Sequence, residues 1–174
     1  MEFHFETNYN QKGFTAMARA LRRTIRRKQS RRSHLFGWCV AAFGLLLTAV
    51  DRMLQEPWTF RNTLTCGVVL ILLVTLFAED RINAFFARRR MLPGTETAAC
   101  VFTEDGYTSS TAAATTEFRY EAVQRICETG EYFVFLLGRQ HGQIYDKATL
   151  TGGTVDEFRT FISEKAGKPV EYIK

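Results

Sequence analysis

The chain has 174 residues, enough for one domain or for a small domain with an appendage, and its 23 Lys and Arg against 18 Asp and Glu give a formal net charge of +5. Divided by position that average dissolves: residues 1–34 carry a net charge of +7, residues 35–97 of +1 and residues 98–174 of −3. A basic character spread over the whole molecule is therefore excluded. Cys39, Cys66, Cys100 and Cys127 show no CxxC spacing and two of them sit inside apolar runs, so no framework that needs oxidation is expected.

The first stretch, residues 2–6 (EFHFE), alternates like a strand with Phe3 and Phe5 on one face. The charge bias places both tails on one side of a membrane, so this strand is expected to join the sheet of the C-terminal tail. Next comes a helical pattern, with Phe14, Met17, Ala18, Leu21 and Ile25 at helical spacing and arginines distributed around them. A cationic amphipathic helix of this kind suits an anionic leaflet. Arg22, Arg23, Arg26, Arg27, Lys28, Arg31 and Arg32 are the candidate headgroup contacts. A nucleic-acid arm would use the same charges but also needs exposed aromatics or a recognisable module, and neither is evident.

Residues 35–50 and 63–78 are two charge-free runs, each roughly 24 Å long as a helix. That is somewhat short of the ~30 Å hydrocarbon core, and neighbouring residues can extend the spans to about 35–54 and 62–79. Two buried core helices would leave only about 75 residues to cover them. A secretion signal would need a charged region of 34 residues and no second apolar run. Basic residues lie outside both spans, while the linker at 51–62 balances two acids with two arginines, which predicts a hairpin with both termini cytoplasmic. Trp58 and Phe60 fall where interfacial aromatics sit, and Gly37 with Ala41 forms a small-xxx-small pair that permits close helix approach. Asp51, Glu79 and Asp80 lie at span ends and read as interfacial charges. Ile82, Phe85 and Phe86 continue the second helix on the cytoplasmic side until Pro93-Gly94.

Beyond that point the period becomes extended. Strands are expected at 97–103, 115–120, 123–129, 131–137 and 143–147, with turns at Asp105-Gly106, Thr129-Gly130 and 138–142. The run YFVFLL at 132–137 should be a central strand covered on both faces. A helix follows, capped by the Thr154/Glu157 capping box, carrying Val155, Phe158, Phe161 and Ile162 on one stripe and ended by Gly167 and Pro169. Phe118, Tyr120, Tyr132 and Tyr145 remain unsorted between surface and core.

The expected fold class is thus an α+β membrane protein. Residues 1–34 form a strand and a basic amphipathic helix, residues 35–92 a two-helix transmembrane hairpin, and residues 97–174 a small cytoplasmic antiparallel β domain closed by a C-terminal helix. This layout, with YEAVQRICETGEYFVFLL, IYDKATLTGG and VDEFRTFISEK, resembles the YcxB-like family of bacterial membrane proteins. Tyr120 and Ile126, the aromatic strand Tyr132, Phe133 and Phe135, Lys147, and Phe158 with Phe161 carry the resemblance; Asp146 and Leu150 stand where a proline and a phenylalanine are expected. The resemblance implies a pleckstrin-homology-like C-terminal fold and an inner-membrane topology, and it carries over no catalytic residues.

No reaction centre is legible. His4, His34 and His141 are scattered, without the paired spacing of a metal site, and no GxSxG motif is present. Thr151 to Thr154 (TGGT) lacks the Lys-Ser or Lys-Thr ending of a phosphate loop and reads as ordinary helix capping. No catalytic, cofactor or metal residue is assigned. The expected function is that of a non-enzymatic inner-membrane adaptor or regulator whose tail binds a protein partner or organises a homo-oligomer. Sensing of anionic lipid headgroups by the basic helix is the alternative. A transport subunit ranks third, because the spans offer only Thr48, Thr63, Thr65 and Thr75 as polar residues.

Overall fold

The computed structural model describes residues 2–173, so the outermost residues of the first and last expected regions, 1 and 174, lie outside it. The chain runs β1 (Phe3–Asn8), α1 (Gln11–Arg23), α2 (Arg27–Met53), α3 (Phe60–Arg89), β2 (Thr97–Phe102), β3 (Tyr107–Thr111), β4 (Thr115–Phe118), β5 (Arg125–Glu128), β6 (Tyr132–Leu136), β7 (Gly142–Asp146), α4 (Val155–Ala166) and β8 (Val170–Tyr172).

The strands form two four-stranded sheets, ordered β1-β2-β3-β4 and β7-β6-β5-β8. β1 pairs antiparallel with β2, with Phe3 opposite Phe102 and Phe5 opposite Cys100, so the N-terminal strand does complete the tail's sheet. The second sheet is mixed, not purely antiparallel: β8 runs parallel to β5, with Ile126 opposite Val170. β3 and β8 had no signal in the sequence. β3 reads YTSST and buries only Tyr107 and Ser109, so it lacks an apolar alternation, and β8 is three residues beyond a proline.

The main core lies between the sheets and α4. Phe5 and Phe102 meet edge to face at 5.7 Å, and Phe158 of α4 stands against Phe5 at 4.8 Å and Phe102 at 5.0 Å. Tyr120, Tyr132 and Tyr145 are buried, while Phe118 is half-buried and stacks on Tyr107. Tyr120 also donates its hydroxyl to the carbonyls of Thr103 (2.6 Å) and Gly106 (3.0 Å), pinning the β2–β3 turn.

A second core lies on the other face of the β5–β8 sheet, and α1 covers it. Tyr132, Val134, Leu136 and Ile144 pack there with Ala20 and Leu21, flanked by Met17 and Ile25. Every residue of β6 is therefore buried, with Phe133 and Phe135 facing one core and Val134 and Leu136 the other. Gly13 permits the contact: a Cβ there would stand 2.3 Å from Ile144 Cδ1. The apolar stripe expected to lie on a leaflet is spent within the protein instead: Met17, Leu21 and Ile25 go to the second core, because β6 needs a second cover, while Phe14 and Ala18 face α3 beside Ala84.

α2 and α3, 27 and 30 residues long, are long and apolar enough to cross a membrane. They pack on each other through Gly37, Ala41 and Gly44, the only buried residues of α2 among those described. A Cβ at Gly44 would sit 2.8 Å from Val69 Cγ2, and one at Gly37 3.0 Å from Leu76 Cδ2. The small-residue spacing thus does what its pattern suggested.

Candidate functional site

The seven basic candidates are not on one continuous helix. α1 stops at Arg23, Thr24 returns its N–H and hydroxyl to the Ala20 carbonyl (3.1 and 2.6 Å), and α2 starts at Arg27. The break lets Ile25 stay against the second sheet while α2 departs with its own apolar surface. Lys28, Arg31 and Arg32 consequently belong to the first turns of the α2 helix, at its foot.

At this break the N-terminal charges meet charges from the tail. Arg23, Arg26, Arg27 and Lys28 line one side of a hollow of about 740 Å³, and Arg125 and Arg139 line the other, with Glu171 the one carboxylate in the lining. Arg26 donates through Nε to the Arg139 carbonyl at 2.9 Å, joining the halves. Arg125 is ion-paired with Glu171, which leaves an excess of cations. Arg31 joins Arg22, Arg23, Arg27 and His34 around a smaller adjoining hollow. Arg32 is exposed and lines neither of these two hollows. Guanidinium groups present flat donor forks that match phosphate oxygens, so the chemistry of this lining suits phosphate-bearing anions.

Arg22 is different. Its Nε and Nη2 bind Asp80 Oδ1 and Oδ2 at 2.7 Å each, and this pairing raises its pKa above the ordinary arginine value. The other span-end acids are paired too: Glu79 Oε2 lies 2.6 Å from His34 Nε2, and Asp51 Oδ2 lies 2.8 Å from Arg61 Nη2. They act as fasteners between helices at both ends of the hairpin.

A buried ionic cluster in the tail escaped sequence reading. Glu128, 6 % exposed at the side chain, receives Arg159 Nε and Nη2 at 2.6 and 2.8 Å and Lys147 Nζ at 2.6 Å. Hydrogen bonds from Arg159 first, and also from Lys147, hold the Glu128 carboxyl below its usual pKa against the opposing effect of burial. The cluster ties β5 to the segment after β7 and to α4. Lys147 alone was visible as a motif residue; Glu128 lies 19 residues before it and 31 before Arg159.

The capping box is formed as expected, with Thr154 Oγ1 accepting from the Glu157 N–H at 3.2 Å and Glu157 accepting from the Thr154 N–H at 2.7 Å. The glycines before it serve β1. Gly152 has φ +89°, and a Cβ there would stand 2.1 Å from the Glu2 carbonyl oxygen. His4 exchanges backbone hydrogen bonds with Thr151 at 3.0 Å in each direction. His34 and His141 are far from it in the fold, one at the hairpin foot and one in the β6–β7 turn, and no cluster of three or more metal-ligating side chains occurs among the described residues.

The architecture is that of an α+β protein in which a long apolar helical hairpin is fastened to a two-sheet domain, with a basic basin at the junction. Residues 102–162, from the end of β2 into α4, match the family model described as YcxB-like protein, so the resemblance read from the aromatic strand and the closing helix holds over this segment. No curated protein and no solved structure matches the chain.

Proposed function

We propose that the chain is a two-span, non-enzymatic protein of the bacterial inner membrane. Both termini are cytoplasmic, and its pleckstrin-homology-like β domain is held at the membrane face, where the basic basin engages anionic lipid headgroups. The observation that carries this reading is the convergence of Arg23, Arg26 and Arg27 with Arg125 and Arg139 in one hollow. That hollow opens two to three helical turns from Leu35 and Phe36, 67 % and 71 % exposed, where the uncovered apolar surface begins.

Several features support the membrane reading. Only 11 % of each apolar window is buried within the protein, unlike a core helix, and so large an uncovered apolar surface needs a non-aqueous cover. The two helices pack antiparallel with the β domain at the end that carries Arg88, Arg89 and Arg90, as the distribution of charge around a cytoplasmic face requires. Two sheets closed by one C-terminal helix suit a pleckstrin-homology-like layout.

Because the apolar stripe of α1 is buried, headgroup contact rests on charge alone. Full-length protein reconstituted in vesicles should enrich spin-labelled anionic lipid over zwitterionic lipid at its surface. The enrichment should fall in Arg23→Gln/Arg26→Gln/Arg27→Gln and at high salt; equal enrichment in wild type and variant would end the headgroup reading. Carbonate extraction with impermeant labelling of single cysteines at Thr59 and Thr149 tests the anchor. Retention with labelling at 59 alone is expected, and release or labelling at 149 would overturn it.

An adaptor role is the second reading, favoured by one observation: β4 ends its sheet as an exposed edge strand, free to pair with a strand of a protein partner or a second copy. Pull-down with the wild-type chain and a β4 variant, Thr116→Pro, would separate the two readings.

A further inference from the structure

Away from the basin, on the side of the hairpin that α1 crosses, an apolar groove runs into a second cationic hollow. The groove is formed by Leu70, Leu73, Val74 and Phe77 of α3, and Thr15, Arg19 and Arg81 stand at its upper end. The same three residues line the adjoining hollow of about 510 Å³, to which Lys12 adds a further ammonium. On α3 the residues 70, 73, 74, 77 and 81 follow one helical stripe, so the guanidinium of Arg81 crowns an apolar wall roughly 16 Å long.

The charges at the crown are available. Among the described residues neither Lys12 nor the Arg81 side chain has an ion-pair partner; only the Arg81 carbonyl is engaged, accepting from Gln11 Nε2 at 3.1 Å. Arg19 reaches Asp80 only at 3.9 Å, because both oxygens of that carboxylate already hold Arg22. The acids in the lining are that committed Asp80 and Glu131 at the far rim. An apolar trough topped by two arginines has the polarity sequence of one molecule: acyl chain, then phosphate.

We propose that this groove is a discrete binding site for an anionic phospholipid, its phosphate held between Arg19 and Arg81 and one acyl chain laid along Leu70, Val74 and Phe77. The site rests on the membrane reading for its supply of ligand, but not for its chemistry. Charge complementarity selects the occupant: a zwitterionic lipid would bring its own cation against Arg19 and Arg81, and a free anion would leave the trough uncovered.

Trp38 reports on the groove, since its ring meets Phe77 edge to face at 5.8 Å. In full-length Trp58→Phe protein in uncharged micelles, short-chain phosphatidylglycerol with brominated tails should quench Trp38 saturably. The concentration required should be at least about tenfold below that of brominated phosphatidylcholine. Arg19→Gln/Arg81→Gln should abolish the preference, Val74→Phe should weaken quenching with both arginines retained, and Arg119→Gln, at an exposed position that lines neither hollow, should leave the preference intact. Thermal unfolding would confirm that each variant is folded. An unchanged preference in Arg19→Gln/Arg81→Gln, or an equal loss of it in Arg119→Gln, would overturn the site, and full displacement by inorganic phosphate at equal concentration would make it an ion site and overturn the lipid assignment. The micelle measurement stands whether or not carbonate extraction supports the anchor, so the two failures are separable.

Discussion

Arg22 on α1 and Asp80 on α3 face each other with two parallel 2.7 Å hydrogen bonds, and through this pair the helix that covers the second sheet is fastened to the foot of the hairpin. The contact spans 58 residues of sequence. It also removes Arg22 from the charges free to meet a headgroup.

Breaking that pair should loosen the domain from the hairpin. Arg22→Ala is expected to cost about 1.5–3 kcal/mol, the range for charge-assisted hydrogen bonds, reduced to the extent that Arg19 swings in from 3.9 Å. The exchange Arg22→Asp/Asp80→Arg should recover part of the loss. Hydrogen exchange of the α1 amides in purified full-length protein reads the effect: faster exchange in the single variant, with partial return in the exchanged pair, is the expected pattern.

The Glu128 cluster makes a pH prediction. Its folded-state pKa lies below the unfolded value, so its stabilisation is fully present above the ordinary glutamate pKa of about 4.3 and is lost as pH falls through the lowered value. Glu128→Gln should destabilise by about 1.5–3 kcal/mol at neutral pH, because Lys147 loses its carboxylate while Arg159, 38 % exposed, keeps only Asp156. The penalty should shrink between neutral pH and a pH below that lowered value, where the wild type has lost the same interaction. Thermal unfolding at the two pH values checks both the size and the sign; an equal penalty at each would contradict the assignment.

The hairpin makes a graded steric prediction. Gly44→Ala meets the stiff, branched Val69 at 2.8 Å and should cost about 1–3 kcal/mol of helix-pair stability. Gly37→Ala meets the flexible end of Leu76 at 3.0 Å and should cost less, while Gly67→Ala, with nothing within 4 Å, should be neutral or mildly stabilising. Thermal aggregation of the three variants in one detergent should rank them in that order.

The sequence by itself determined those features whose cause is local. The two apolar runs, the helical period before them, the small residues at 37 and 41, the capping box at Thr154 and Glu157, and the alternation of Phe3 and Phe5 all depend on neighbours within one or two turns, and each appears at its expected place. The aromatic strand Tyr132–Leu136 was legible for the same reason, since a run apolar on both faces must be covered on both. Only the tertiary structure decided what does the covering. That α1 spends part of its apolar stripe on β6, that polar β3 is held as a strand by its neighbours, and that Arg19 and Arg81 crown one groove all depend on residues tens of positions apart. Periodicity tells which face of an element must be buried; the partner that buries it is chosen by long-range packing and by the pairing of charges that the fold brings together.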